Sequence, residues 1–238
     1  MGLRAALGRQ LAAPSGAAGA LVGHLMARAN AEPNARAVAA LDLNPDDDVL
    51  ELGFGPGHAL ELIAERVTQG RIFGVERSVE MLRQAWRRNR RSIRQCRLTL
   101  LLGDFTALPM VNCSVDKILA VNVAYFWHDG AAVLAEVRRV LRPGGRMVVY
   151  ATGAAALRRW GIAGPATHRL FDPMDLRALL IEGGFAPRDI LVEEIVVARR
   201  YGAMIAVVTN GASGENGGGR YVDPDSGDRL LAHEEDIR

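Results

Sequence analysis

The stretch Val49-Leu50-Glu51-Leu52-Gly53-Phe54-Gly55-Pro56-Gly57-His58-Ala59-Leu60 decides the fold. Its apolar run stops at glycines in alternate positions, and Leu60, Ile63, Ala64 and Val67 then recur at helical spacing as far as Gly70. The segment therefore reads as strand, glycine loop, helix. Further strands are expected at Ile72 to Glu76, Leu98 to Leu102, Asp116 to Asn122 and Arg146 to Tyr150. Between them lie a helix opened by Ser78 with Leu82, Ala85, Trp86 and Ile93 inward, and another with Leu134, Val137, Val140 and Leu141 inward, stopped by Pro143-Gly144-Gly145. After a helix that opens at Asp172-Pro173 and closes at Gly183-Gly184, strands Ile190 to Ala198 and Ala203 to Thr209 follow with only a short turn between them, the pattern of an antiparallel hairpin. Parallel strands need crossovers and buried strands need cover. The alternation thus predicts an α/β fold: a doubly wound, Rossmann-like, seven-stranded and mostly parallel sheet with a C-terminal antiparallel hairpin.

The chain's 238 residues suit one such domain, and its 49% hydrophobic and 24% charged residues are ordinary for a globular protein. The formal charge of +2 gives no global field that would point to nucleic acid or a membrane. Lys117 is the sole lysine, which leaves one place for amine chemistry. Cys96 and Cys113 form no CxxC, and the five histidines form no ligand pattern, so neither a metal site nor a disulfide framework is expected and a reducing, cytoplasmic setting fits. The Ala/Gly-rich stretch from Leu11 to Gly23 is too broken by Pro14, Ser15 and glycines to read as a membrane span or targeting peptide. The expected organisation is an N-terminal extension over residues 1–25, a domain over 26–210 and a flexible, glycine-rich and acidic tail over 211–238. From Glu215 onward the tail holds seven acids against three arginines.

In an open α/β sheet, ligands bind where the strands end. Gly53, Gly55 and Gly57 leave the backbone bare before a helix N-terminus, as a phosphate- or nucleoside-binding loop requires and as a plain turn also permits. Glu76, 23 positions after Gly53, is placed to accept from both hydroxyls of a ribose. Asp104, with Phe105 beside it, ends the third strand and suits an exocyclic adenine amine. Tyr125, Phe126 and Trp127 place three of the chain's thirteen Phe, Tyr and Trp residues near the fourth strand's end, either as walls for an apolar acceptor or as core. His128, next to Asp129, is a candidate proton acceptor or a surface residue at a helix start. The run Arg83, Arg87, Arg88, Arg90, Arg91, Arg94 and Arg97 holds no acid; it reads as a solvated helix face ahead of a phosphate-binding ridge.

Together, Val49 to Gly57, Gly74-Val75-Glu76-Arg77-Ser78, Gly103-Asp104 and Leu141-Arg142-Pro143-Gly144-Gly145 resemble the class I S-adenosylmethionine-dependent methyltransferases, and in particular the group similar to ubiquinone/menaquinone-biosynthesis methyltransferases. The resemblance covers roughly Met26 to Thr209. It implies S-adenosylmethionine as cofactor and a small-molecule methyl acceptor, with no metal. It also implies Glu51, Gly53, Gly55 and Gly57 at the methionine part, Phe54 among the cofactor-binding residues, Glu76 at the ribose hydroxyls, Arg77, Ser78 and Met81 flanking the ribose and adenine, Asp104 and Phe105 at the adenine, and Asn122 in the loop beneath the sulfonium. Asn30 and Asn34 resemble positions of a lid, and the Leu-Arg-Pro-Gly-Gly element resembles a structural turn. Transfer would be an in-line displacement helped mainly by alignment. Other readings weighed are a noncatalytic protein that only binds the cofactor, and a methyltransferase for RNA or protein. An NAD(P) oxidoreductase is disfavoured because its fingerprint needs a glycine where His58 stands.

Overall fold

The computed structural model describes residues 30–161, 169–198 and 200–211. The expected N-terminal extension, all of the tail beyond Gly211 and the loop at 162–168 lie outside the described residues. The chain runs α1 (Ala31–Ala40), β1 (Val49–Leu52), α2 (His58–Ala64), β2 (Ile72–Glu76), α3 (Val79–Arg88), α4 (Arg90–Arg94), β3 (Leu98–Leu102) and β4 (Val115–Val121). It continues through α5 (Gly130–Val140), β5 (Leu141–Thr152), α6 (Ala154–Trp160), α7 (Pro173–Glu182), β6 (Ile190–Val197) and β7 (Tyr201–Thr209).

One seven-stranded sheet results, in the order β3-β2-β1-β4-β5-β7-β6. Strands β1 to β5 pair in parallel, and β7 enters antiparallel between β5 and β6. The C-terminal hairpin therefore turns one strand against the others, since β6, antiparallel to β7, shares the direction of the first five. All four residues of β1 are buried, as a central parallel strand covered on both faces requires. Side chains alternate across it: Leu50 and Leu52 join the apolar layer with α5 and α7, while Val49 joins the layer with α1, α2 and α3. Each fully buried leucine of this kind contributes about 1.5–3 kcal/mol.

Two boundaries depart from expectation. The helix expected from Leu82 to Ile93 breaks at Asn89, which is buried and donates Nδ2–H to the carbonyls of Gly57 and Ala85, both at 3.0 Å. The polar side chain satisfies the glycine-loop carbonyl at the cost of the helix's continuity. The Leu141-Arg142-Pro143-Gly144-Gly145 element, expected as a turn, lies inside β5 as a register shift against β4, with Gly144 at φ +78. Arg142 there donates to Asp116 and, at 3.1 Å, to Asp48, which also takes Arg71 at 2.9 Å. This cluster ties the entries to β1, β2, β4 and β5 together at the edge opposite the strand ends where ligands bind.

Burial acts to raise the Asp48 carboxyl, but the hydrogen bonds from Arg71 and Arg142 outweigh it and hold the group below the ordinary aspartate range. A lowered carboxyl stabilises the fold above its unfolded pKa and stops doing so as pH falls through its folded one. Asp48→Asn is expected to lower unfolding stability by about 1–3 kcal/mol at pH 7, the arginines being partly in water. In urea melts the gap to the unmodified protein should close as pH falls below 3.8.

Candidate active site

The glycine loop after β1 is built by close packing on two sides and by openness on the third. A Cβ at Gly53 would stand 2.4 Å from Val123 Cγ2, and one at Gly57 would stand 2.7 Å from Ala85 Cβ and Asn89 Nδ2. Gly55, at φ +51, would meet nothing within 4 Å. Gly55 is therefore the position at which bare, left-handed backbone faces free space. Phe54 turns back into the core, where Gly74 makes room for it: a Cβ there would sit 2.6 Å from Phe54 Cδ1.

Two carboxylates hold this loop. Glu76, at the end of β2, accepts the backbone N–H of Gly55 at 3.0 Å through one oxygen and those of Arg77 and Ser78 at 2.8 and 3.0 Å through the other. Burial raises its pKa and the three amides pull it down, with a raised value as the balance. Glu51, at the third position of β1, is 3% exposed, and its Oε2 has no partner among the described residues. Burial first, and the neighbouring charge of Glu76 second, push its carboxyl up to about 8, against a weaker pull from the Leu60 N–H. The shift favours the protonated form of Glu51 toward neutral pH.

A cavity of about 80 Å³ opens above these groups. It is reached by Glu51, Gly53, Phe54, Gly55, Glu76, Arg77, Met81, Phe105, Asn122 and Phe126 of the expected set. Gly57 and Ser78 stand outside it. Gly57 is packed against α3, and Ser78 caps that helix, its hydroxyl accepting from Met81 N–H at 3.3 Å. Asp104, Trp127 and His128 line a neighbouring cavity of about 150 Å³, together with Arg77, Phe105 and Phe126, which border both. There Asp104 accepts from the backbone and hydroxyl of Thr106 at 2.9 and 2.8 Å and stands 3.6 Å from Arg77. The Trp127 indole N–H is buried with no partner among the described residues. Tyr125 is buried, and its hydroxyl donates to Asn122 Oδ1 and to the Thr152 carbonyl at 2.9 and 3.0 Å, so it braces the site from beneath.

Asn122 joins the floor of the cavity to the start of α1. It sits at φ +53 just past β4, a conformation asparagine tolerates better than most residues. Its Oδ1 also accepts the Thr152 N–H and hydroxyl, both at 3.1 Å, while its Nδ2 donates to Asn30 Oδ1 at 3.1 Å. Asn34 Nδ2 lies 3.2 Å from His58 Nδ1, which makes a second bridge from α1 to the loop. With the amide donating, the imidazole proton resides on Nε2. His58 was not singled out as a site residue by sequence, where it registered only as a missing glycine. Its signal was its place as the first residue of the helix after the loop. The arginine run is split by Asn89: Arg88 pairs with Glu61 at 3.1 Å, and Arg97 donates to the carbonyls of Ala64 and Val67.

Comparison with known proteins agrees with this geometry. Residues 49–145 match a family described as methyltransferase domain. Over 111 residues the chain is 41% identical to an uncharacterized 37.1 kDa protein in transposon TN4556 of Streptomyces fradiae, covering 46% of this chain and 31% of that one. Over 112 residues it is 36% identical to trans-aconitate 2-methyltransferase of Azoarcus sp., covering 47% and 42%. The chain thus spans less than half the length of these two curated relatives. A solved S-adenosylmethionine-dependent methyltransferase from Aquifex aeolicus shares the fold with a TM-score of 0.61 at 15% identity, over 88% of this chain and 99% of that one. Residues 49–145 thus match a methyltransferase domain, and the fold is one that a solved S-adenosylmethionine-dependent methyltransferase shares. The matches do not single out the ubiquinone/menaquinone-like group.

A carboxyl whose pKa is higher in the folded protein favours folding in its protonated form. The contribution of Glu51 is therefore intact below the ordinary value of 4.5 and is lost as pH rises through about 8. Glu51→Gln keeps the neutral shape without a charge to bury. It is expected to raise the melting temperature at pH 8 by on the order of 5 °C and to leave it nearly unchanged at pH 4. Equal shifts at both pH values, read by calorimetry, would count against a buried, proton-holding Glu51.

Proposed function

We propose that the chain transfers a methyl group from S-adenosylmethionine to a small-molecule acceptor. One observation carries the reading: two carboxylates, Glu51 and Glu76, converge on a glycine loop whose central residue faces open space, and the buried Oε2 of Glu51 lacks a partner among the described residues. That donor set suits an adenosyl amino acid. The orphaned Glu51 oxygen answers an ammonium, Glu76 answers ribose hydroxyls, and bare backbone at Gly55 allows close approach. When bound, S-adenosylmethionine supplies an electrophilic methyl on a sulfonium, already a good leaving group.

The residues then have positioning roles. Arg77 and Met81 flank the ribose, Phe105 and Asp104 meet the adenine, and Asn122 with Phe126 shapes the floor beneath the methyl. Asn122 is itself held by Tyr125 and Thr152, so its amide keeps one orientation. Asn30 and Asn34, at the start of α1, border the same cavity and close it on that side. The Asn30–Asn122 and Asn34–His58 bridges are the contacts that would part and re-form. Once closed, the site excludes water, and holding donor and acceptor in line can contribute about 7–11 kcal/mol. No described helix is long and apolar enough to cross a membrane. A catalytic unit spanning 26–210 in the cytoplasm is part of this proposal.

Calorimetry with S-adenosylhomocysteine and with NADH tests the reading. The first is expected to bind and the second not; binding of NADH alone would overturn it. Gly55→Val should abolish binding by placing a branched side chain in the approach space, and Glu76→Gln should weaken it by about 1–3 kcal/mol, roughly 5- to 150-fold. Unaltered affinity in the valine variant would count against this site. S-adenosylmethionine is further expected to release close to one proton on binding at pH 7, as its ammonium lowers the Glu51 pKa. Binding heats in buffers of different ionisation enthalpy measure that proton. Radiolabelled methyl transfer into extract fractions of small molecules, lipid, protein and nucleic acid separates the acceptor classes.

A further inference from the structure

A second and much larger cavity, of about 1,110 Å³, lies beside the cleft, where the start of α1, helix α6 and the opening of β7 meet. It sits on the same edge of the sheet: the end of β5 and the start of β7 pair there, Thr152 against Ala203. The two cavities share a wall. Asn30 lines the first, the next residues Ala31 and Glu32 line the second, and Thr152, which bonds Asn122, leads through Gly153 into α6.

Its chemistry is specific. Trp160 and Tyr201 stack edge to face with centroids 4.9 Å apart, and Trp160 is 45% exposed, a large apolar ring left toward open space. Arg159 and Arg200 line the same cavity, and neither has an acidic partner among the described residues. The acid present, Glu32, is already engaged: it pairs with Arg36 at 2.8 Å and accepts the Ala198 N–H at 3.1 Å. Alanines 155, 156 and 198 leave the remaining wall low and apolar. An aromatic pair flanked by two unneutralised guanidinium groups favours a flat apolar body carrying an anion, because the planar fork of arginine binds oxyanions in pairs of hydrogen bonds.

We propose that this cavity holds the methyl acceptor, and that the acceptor is an organic anion with a flat apolar body whose carboxylate or phosphate is anchored by Arg159 and Arg200 against Trp160 and Tyr201. The inference rests on the methyltransferase reading above and specifies its substrate class. The anion is a handle: Arg159 sits on α6, which follows the Thr152 that bonds Asn122, and the rest of the molecule is left to reach the cleft.

Calorimetry with 2-naphthoate, 2-naphthyl phosphate and neutral 2-naphthamide, on the protein saturated with S-adenosylhomocysteine, tests it. At least one anion should bind about tenfold or more tightly than the amide, and which one does identifies the handle. Arg159→Gln combined with Arg200→Gln should remove that preference, and Trp160→Leu should weaken anion and amide alike. Both arginines are exposed, so circular dichroism and S-adenosylhomocysteine affinity are expected to stay unchanged. Anion and amide binding equally, no binding of any of the three, or anion binding indifferent to all these substitutions would overturn the inference while normal S-adenosylhomocysteine binding left the methyltransferase reading standing. Failure of S-adenosylhomocysteine itself to bind would instead remove that reading.

Discussion

Two carboxylates at neighbouring strand ends, and the backbone amides between them, set the rest of the site. Glu76 accepts three amide N–H groups, one of them from Gly55, and so fixes the loop in the open-faced shape its glycines permit. Glu51 stands behind the same loop with one oxygen unsatisfied among the described residues, and burial and the charge of Glu76 disfavour its ionised form. A buried, unpartnered polar atom is costly, and a fold that keeps one at the end of its central strand keeps it next to a ligand space. The parallel sheet places both acids on one edge, and the packing of Gly53 on Val123 and Gly57 on Asn89 makes that edge rigid.

The opposite edge of the sheet carries the compensating order. Asp48, Asp116, Arg71 and Arg142 bind the strand entries together, and this explains why the Arg-Pro-Gly-Gly element lies within β5: Arg142 must reach both aspartates, so the strand bulges there and does not end. Asn89 plays a comparable part beside the loop, interrupting a helix in order to satisfy Gly57. In each case a local rule is broken where a long-range polar contact wins.

That pattern also separates what the sequence discloses from what it hides. Strand positions were legible because buried parallel strands are continuous apolar runs, and the loop was legible because three glycines bracketed by strand and helix leave few alternatives. Glu76 and Asp104 could be named as strand-end acids and Glu51 only through the resemblance, yet spacing alone could not show that Asp104 and His128 open onto an adjoining cavity, or that Tyr125 points its hydroxyl inward to Asn122. The bridges from α1 were hidden for a different reason: Asn30 meets Asn122 across 92 positions, and two asparagines carry no pattern until the fold brings them together. Arg159, Trp160, Arg200 and Tyr201 converge only because β7 turns back beside β5.

The most direct test is a crystal structure of the chain with S-adenosylhomocysteine. The account predicts the amino group within hydrogen-bonding distance of Glu51, both ribose hydroxyls on Glu76 and the thioether sulfur above Asn122, with α1 displaced from its present bridges. Electron density for the ligand elsewhere, or an unoccupied cleft at saturating concentration, would contradict it.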